Sequence, residues 1–377
     1  MMNIKLVTKS LSKSKQQGVA LITVMLIVAL SSIIAAQMTT RLQTQMQRST
    51  NISFNQQAYW YAMGAEAFSK RVLLKAFKDE PKVTHLEQIW AQEGTSYPVD
   101  FGEISGEISD LQSCLNLNAL HPEADTKEQA GERESGNSNN SDGGSDSKSD
   151  DKEKSPAPKP KPKTKSDSKQ QLPAATVLES LIVNLNIEGI GPFEAEAMVN
   201  ALTDWLDSDD MITGNGGAED SDYESREFPY LAANNYLASV NELRLIEHYT
   251  PKVILALSPY VCVLPNNSQH LININTLDAE RPELLQALLD SSLDEAQDIL
   301  SARDSSGYEN LEDFYKLPEL SKLQMEKWQQ AQFVVDSQYF MLKASARFNN
   351  SYFAMRSIMK VNETEQIQVI SRTIGRN

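Results

Sequence analysis

The sequence predicts an α+β chain: one long N-terminal helix, an antiparallel sheet drawn from two separated stretches, and a large all-α region inserted between them. Three observations predict it. From Val19 to Phe77 there is no proline and Gly64 is the only glycine, so a helix can run unbroken. Stretches rich in β-branched and aromatic residues flank the middle of the chain at 97–120 and 332–374. Between them, 173–331 takes on the spacing of short helices.

The N-terminus comes first. Lys5, Lys9, Lys13 and Lys15 precede Gly18, and an uncharged apolar run, Val19 to Ala36, follows at once. A Sec-type leader is cut after its apolar stretch, at small residues. The order basic leader, glycine, apolar run is instead that of type IV prepilins. It predicts a leader at 1–18, a cut between Gly18 and Val19, and a membrane-crossing helix start at 19–40. An uncleaved signal anchor is the plainer reading. About 17–25 apolar residues cross a bilayer, and lysines on one side hold that side in the cytoplasm. The part beyond residue 40 is then periplasmic.

The spine helix continues to about Phe77, on the order of 90 Å in all at 1.5 Å per residue, and Pro81 ends it. Phe54, Tyr61 and Phe68 recur at seven-residue spacing, which lines one face and predicts packing against the chain's own sheet. Strands are expected at Tyr97–Ile104 and Ile108–Leu120. Segment 121–172 is almost purely Glu, Asp, Lys, Ser, Gly, Asn and Pro and ends in a Lys-Pro repeat. It cannot bury enough apolar surface to offset its ordering entropy, so it is expected to be a disordered insert. Helices are expected at Ala174–Leu185 and Pro192–Leu206, joined by NIEGIGP, a helix-hairpin-helix or SAM-like turn. A second such module is expected from Asn273. Late strands are expected at Gln332–Phe348, Ser351–Val361 and Gln366–Ile374, with Asn349-Asn350 as a tight turn. The boundaries are therefore 41–120 plus 332–377 for the α/β unit and 173–331 for the inserted helical unit.

The densest chemistry is DWLDSDDMITGNGGAEDSDY, Asp204 to Tyr223. Crowded carboxylates repel one another unless a cation binds. Calcium suits them, being hard, taking six to eight oxygens and tolerating flexible loops. The expected ligands are Asp207, Asp209, Asp210, Glu219, Asp220 and Asp222, with Asp204 left on the last helical turn. The spacing is not that of an EF-hand, because Ile212 stands where its glycine belongs. A merely solvated acidic loop is the alternative.

Cys114 and Cys262 are the only two cysteines. They can pair in an oxidising compartment or stay as separate buried thiols. The net charge of −16 disfavours nucleic acid. Glu188, Glu194 and Glu196 beside the first hairpin turn, and Asp278, Glu280 and Glu283 beside the second, argue the same way. His85, His121, His248 and His270 are scattered. No catalytic set is visible, and the chain is not expected to be an enzyme.

On Gly18, Thr23, the SDLQSCLNLNAL segment, the hairpin modules and the GAED segment of the acidic loop, the chain resembles the K-type minor pseudopilins of type II secretion systems. The resemblance runs over nearly the whole length apart from the insert. It implies a pilin-like fold, cleavage by prepilin peptidase, methylation of the new N-terminus and calcium in the acidic loop. It also implies an inner-membrane assembly platform and a complex with minor pseudopilins of the I and J types. The secretin and the secreted substrate are further contacts. Most pilin-like subunits carry Glu at the fifth position after the cut, where this chain has Thr23. That departure implies a place at the filament tip, since a buried charge without a partner is costly. A type IV pilus minor pilin and a membrane-anchored helix-hairpin-helix DNA-uptake receptor are the alternatives.

Overall fold

The computed structural model describes residues 17–92, 95–122, 172–362 and 366–375. Residues 1–16 of the expected leader and 123–171 of the expected insert lie outside the described residues. Helix α1, Gln17–Asp79, is a single element of 63 residues and stops two residues before Pro81. Its first part is long and apolar enough to cross a membrane, with mean hydropathy 2.7 over an 18-residue window and none of it buried. Thr23 donates its hydroxyl to the Ala20 carbonyl at 2.9 Å, so its polar group is satisfied within the helix.

Strands β1 (Thr95–Val99) and β2 (Gly102–Asp110) form a hairpin turning at Asp100 and Phe101, the latter at φ 62°. The expected strand Tyr97–Ile104 is therefore two strands, because the turn falls inside it. Strands β7 (Tyr339–Phe348), β8 (Ser351–Val361) and β9 (Ile367–Ile374) complete an antiparallel sheet of order β1-β2-β7-β8-β9. Ile104 opposes Ala346 and Phe348 opposes Ser351 across the Asn349-Asn350 turn. Asn349 takes φ 48°, a left-handed conformation that Asn tolerates.

The sheet packs on the outer half of α1. Ala58, Ala62, Ala65, Ser69, Leu73 and Ala76, spaced three and four apart, are the buried stripe. Small side chains there let the sheet approach closely. The aromatic heptad flanks this stripe: Phe54 and Tyr61 meet Phe348 edge-on at 5.5 and 5.7 Å, and Phe68 meets Tyr97 at 5.8 Å. Glu66, on the same helix, is only 3% exposed. Its carboxylate accepts from Arg372 Nε and Nη2, both at 2.9 Å, and from Ser357 Oγ at 2.7 Å, which clips β8 and the edge strand β9 to the spine. Burial alone pushes the Glu66 carboxyl up, but Arg372, Ser357 and Lys70 together hold it below the usual range. A carboxyl lowered on folding contributes stability above its unfolded value and loses it as pH falls through the folded one. Glu66→Ala is expected to cost about 1–3 kcal/mol at neutral pH, below the range for a fully buried pair because Arg372 keeps partial access to water. Urea unfolding measures it, and the cost should shrink in acid.

The helical unit comprises α2 (Pro173–Asn184), α3 (Pro192–Leu206), α4 (Asp220–Glu224), α5 (Pro251–Leu257), α6 (Glu283–Leu289), α7 (Leu293–Ser301), α8 (Leu311–Tyr315) and α9 (Lys327–Ala331). Two short parallel pairs close it at its base: β3 (Leu115–Asn116) with β4 (Val261–Cys262), and β5 (Ile272–Asn273) with β6 (Phe333–Val334). This corrects two boundaries. Leu115, Leu117 and Leu120 belong to the core of the helical unit, and so does Phe333. The α/β unit therefore gives up the chain from Leu115 on and resumes after Val335, and Gln332–Phe348 is not one strand. The reason is burial: Leu115, Leu117 and Leu120 pack beside α2 and α3, and Phe333 packs against Phe314 of α8, rather than on the face of the sheet.

Cys114 and Cys262 are joined as a disulfide with Cα atoms 5.8 Å apart. It lies at the seam between the units, beside Leu111, Leu264 and Tyr339.

Candidate functional site: the acidic loop between α3 and α4

Helix α3 starts at Pro192, whose missing N–H costs nothing at the first position. It carries Asp204 on its last turn and ends at Asp207, its C-terminal cap. The chain then loops to Glu219, the N-terminal cap of α4. Asp204 is fully buried, and its two carboxylate oxygens accept the Thr213 N–H at 3.0 and 3.2 Å. Burial pushes its carboxyl up. This residue folds the loop back over the helix end.

The loop closes so tightly that glycine is required. A Cβ on Gly217 would lie 2.3 Å from Asp204 Oδ2 and 2.5 Å from the Thr213 carbonyl. Gly216 takes φ 78°, and its carbonyl is 2.9 Å from His248 Nε2. Gly217→Ala is expected to cost about 1–3 kcal/mol, as overpacking does, while Gly64→Ala, with nothing within 4 Å, should stabilise α1 by up to about 1 kcal/mol. Thermal melts of the two variants should move in opposite directions.

Within this frame one carboxylate oxygen each from Asp207, Asp209 and Glu219 lies within 4.8 Å of the others. Asp207 and Glu219 are each 3% exposed, and neither Glu219 oxygen has a hydrogen-bond partner. Burial, followed by the charges of Asp204, Asp207, Asp209 and Asp210, pushes the Glu219 carboxyl up to about 7. Two oxygens each about 2.4 Å from one calcium ion can be no more than about 4.8 Å apart. The donor set, hard oxygens of which Glu219 supplies two buried and unpartnered, fits such an ion.

The other three expected ligands are not brought to this cluster. Asp220 Oδ1 accepts the Ala232 N–H at 2.8 Å, fastening the following segment. Asp222 Oδ2 accepts the Glu219 N–H at 3.1 Å, closing the cap of α4. Asp210 is exposed and outside the group. Asp204, on the last helical turn as the sequence predicts, and His248, one of the scattered histidines, position the loop. Asp204 sits three residues before Asp207, one helical turn behind it, and that spacing is the sequence signal for its role.

Elsewhere, the first hairpin turn carries a self-made cap. Gly189 takes φ 84° and Glu194 Oε2 accepts the Gly191 N–H at 2.9 Å. A phosphate seeking that amide would meet a carboxylate already there. The histidines are apart and structurally engaged: His85 with Glu80 at 2.6 Å, His121 stacked on Tyr236, His248 on the loop, and His270 half-buried beside Gln332, with desolvation of its ring pushing it down to about 4.

The family described as "Type II secretion system (T2SS), protein K" matches residues 113–266 and again 272–336. The type II secretion system protein K of Dickeya chrysanthemi is 38% identical over 364 residues, covering 96% of this chain and 97% of that protein. That of Klebsiella pneumoniae is 32% identical over 367 residues, with 96% and 97% covered. The Aeromonas hydrophila protein is 34% identical over 296 residues, 78% of each. Among solved structures, a chain of the GspK-GspI-GspJ complex from the enterotoxigenic Escherichia coli type 2 secretion system superposes with a TM-score of 0.66 at 27% identity, covering 89% of this chain and 100% of that one. None of these relatives is a type IV pilus minor pilin or a DNA-uptake receptor. With the spine, the split sheet and the inserted helical unit in place, the chain belongs to the type II secretion system protein K family and is a minor pseudopilin of that system.

Proposed function

We propose that this minor pseudopilin is the tip subunit of the pseudopilus and starts its assembly with minor pseudopilins of the I and J types. The observation that carries the reading is the spine itself. Its span holds Thr23, bonded to its own helix, where a subunit docked beneath a neighbour uses a carboxylate. Nothing in the span then calls for a partner charge from a subunit above. The bulk of the inserted helical unit suits a position with no subunit stacked over it. Prepilin peptidase would cut between Gly18 and Val19, with methylation following. The chain would sit once through the inner membrane, amino end cytoplasmic and head periplasmic. The assembly platform, secretin and secreted substrate are the remaining contacts in this reading. The two turns at Asn186–Gly191 and Asp290–Ser292 are of the helix-hairpin-helix, SAM-like kind, reused for protein contacts. The role is structural rather than catalytic.

Calcium is the proposed resident ion of the acidic loop. Asp207, Asp209 and Glu219 would hold it, Asp204 and His248 would shape the loop around it, and the ion would supply positive charge that neutralises the cluster. Purification of the full chain with its I- and J-type partners tests the assembly reading. A complex with one copy of each is expected. A stable chain that stays alone, or one that enters in many copies, overturns it.

A further inference from the structure

We propose that the buried carboxylate of Asp110 is a joint that locks the helical unit to the spine, with the Cys114–Cys262 bond as a second fastening, so that the head moves with α1 as one rigid body. The chain crosses between the two units twice, at 111–114 and at 335–338. Paired crossings of this kind are where hinges form. Asp110 sits at the first crossing, 5% exposed, as the last residue of β2. Its carboxylate accepts from Ser337 Oγ at 2.5 Å, Thr276 Oγ1 at 2.6 Å, the Gln112 N–H at 2.7 Å and Asn273 Nδ2 at 3.3 Å. Ser337 belongs to the second crossing, and Asn273 and Thr276 belong to the helical unit.

The end of the spine enters the same network. Thr84, five residues beyond α1, donates its N–H to the Val335 carbonyl at 2.9 Å and accepts the Ser337 N–H on Oγ1 at 3.1 Å. Its carbonyl accepts from Asn273 Nδ2 at 3.1 Å. Asn273, fully buried, also has Nδ2 2.8 Å from Ser337 Oγ, so its two amide hydrogens are shared among Thr84, Ser337 and Asp110, and it donates its N–H to the Gln112 carbonyl at 2.8 Å. Spine, sheet, both crossings and helical unit thus converge on one buried polar cluster.

Burying a carboxylate is costly unless it is fully hydrogen-bonded. Apolar side chains would fill the seam at less cost, but they slide. Directional bonds from four segments fix one angle, which is how a satisfied polar network specifies a unique arrangement. The disulfide lies on the same seam beside a separate apolar cluster of Leu111, Leu264 and Tyr339. Two fastenings oppose hinge motions that either alone permits. Movement of the spine as the filament extends then reaches the helical unit without slack. That consequence rests on the pseudopilin role; the rigidity itself does not.

The test is the distance distribution between probes at Lys75 on α1 and Lys316 after α8. Pulsed electron paramagnetic resonance is measured on the full chain in detergent. The probes are attached through non-natural amino acids, so the native cysteines stay paired. The unsubstituted protein should give one narrow distribution. Thr276→Val, which removes one hydroxyl, should broaden it, and Asp110→Ala should broaden it further. Adding Cys114→Ser and Cys262→Ser should abolish the single peak. Amides of Thr84, Asn273 and Ser337 should exchange about tenfold faster in Thr276→Val. If Asp110→Ala fails to fold, Thr276→Val decides. A broad distribution in the unsubstituted protein, or unchanged width and exchange in Thr276→Val, overturns the joint. Failure to assemble with the I- and J-type partners is read separately and counts only against the proposed assembly.

Discussion

Calcium added to the full-length protein in detergent should raise its melting temperature by about 5–10 °C at a hundredfold excess over Kd. An ion that binds only the folded state at that excess adds about 2.7 kcal/mol, and about 2–4 °C follow each kcal/mol in a domain of this size. Glu219→Gln separates an ion ligand from a packing residue. It keeps the shape and removes a buried charge that lies among other carboxylates with no hydrogen-bond donor. Without calcium the variant should melt at or above the parent; with calcium it should lose most of the rise. Asp210→Asn, outside the cluster, should keep the rise. The pH dependence has a definite sign. The Glu219 carboxyl is raised to about 7 when folded, above its ordinary value near 4.5. The ion-free folded state therefore binds the extra proton between those values. From this group, stability without calcium falls as pH climbs from about 4.5 to 7 and levels off above. Calcium needs the ionised form, so its affinity should weaken as pH drops below 7. Calorimetric titration at pH 8 and pH 6 checks this. A melting temperature indifferent to millimolar calcium would leave a solvated loop and remove the ion from the account.

Much of this was legible because the deciding chemistry is local. An unbroken proline-free run gives α1, Pro192 opens α3 at the expected residue, and Asn349-Asn350 sits between β7 and β8 where a tight turn was read. The disulfide partners needed no choice, since only two cysteines exist. What stayed hidden depends on residues far apart in sequence. Strands β3 and β6 are two residues long and pair with β4 and β5 across distant segments, so no periodicity announces them. Leu115–Leu120 looked like sheet by composition yet fills the core of the helical unit. That core is the largest buried apolar cluster among the described residues. In the loop, residue type and the GAED resemblance point to six of the seven carboxylates, with Asp204 set apart on the last helical turn. Only the folded loop divides them: Asp222 closes the α4 cap, Asp220 fastens the backbone at Ala232, Asp210 stays outside the group, and Asp207, Asp209 and Glu219 come together.

Reducing the Cys114–Cys262 bond should destabilise the protein more than any single substitution considered above. The bond closes a loop with a sequence separation of 148. On the chain-entropy model, freeing so long a loop in the unfolded state is worth about 5 kcal/mol, and measured values for natural disulfides run about 2–5. The bond ties the strand entering the helical unit to the strand leaving its first part, next to the β3–β4 pair. Its loss therefore lengthens the free chain without removing the larger apolar core. The denaturant midpoint should fall by an amount equal to that energy divided by the m-value, with m itself changed if the unfolded chain expands. Cys114→Ser with Cys262→Ser should reproduce the shift and make it insensitive to reductant. A small or absent shift would mean that the β3–β4 pair and the Asp110 network already hold the seam in the folded state and that the unfolded chain is compact there. A shift accompanied by unfolding of the whole helical unit would instead make the bond a condition of folding, as it is in small secreted domains with weak cores. The buried cluster around Leu178, Leu202 and Leu288 argues for the intermediate result: a loss of about 3–5 kcal/mol from a protein that still folds.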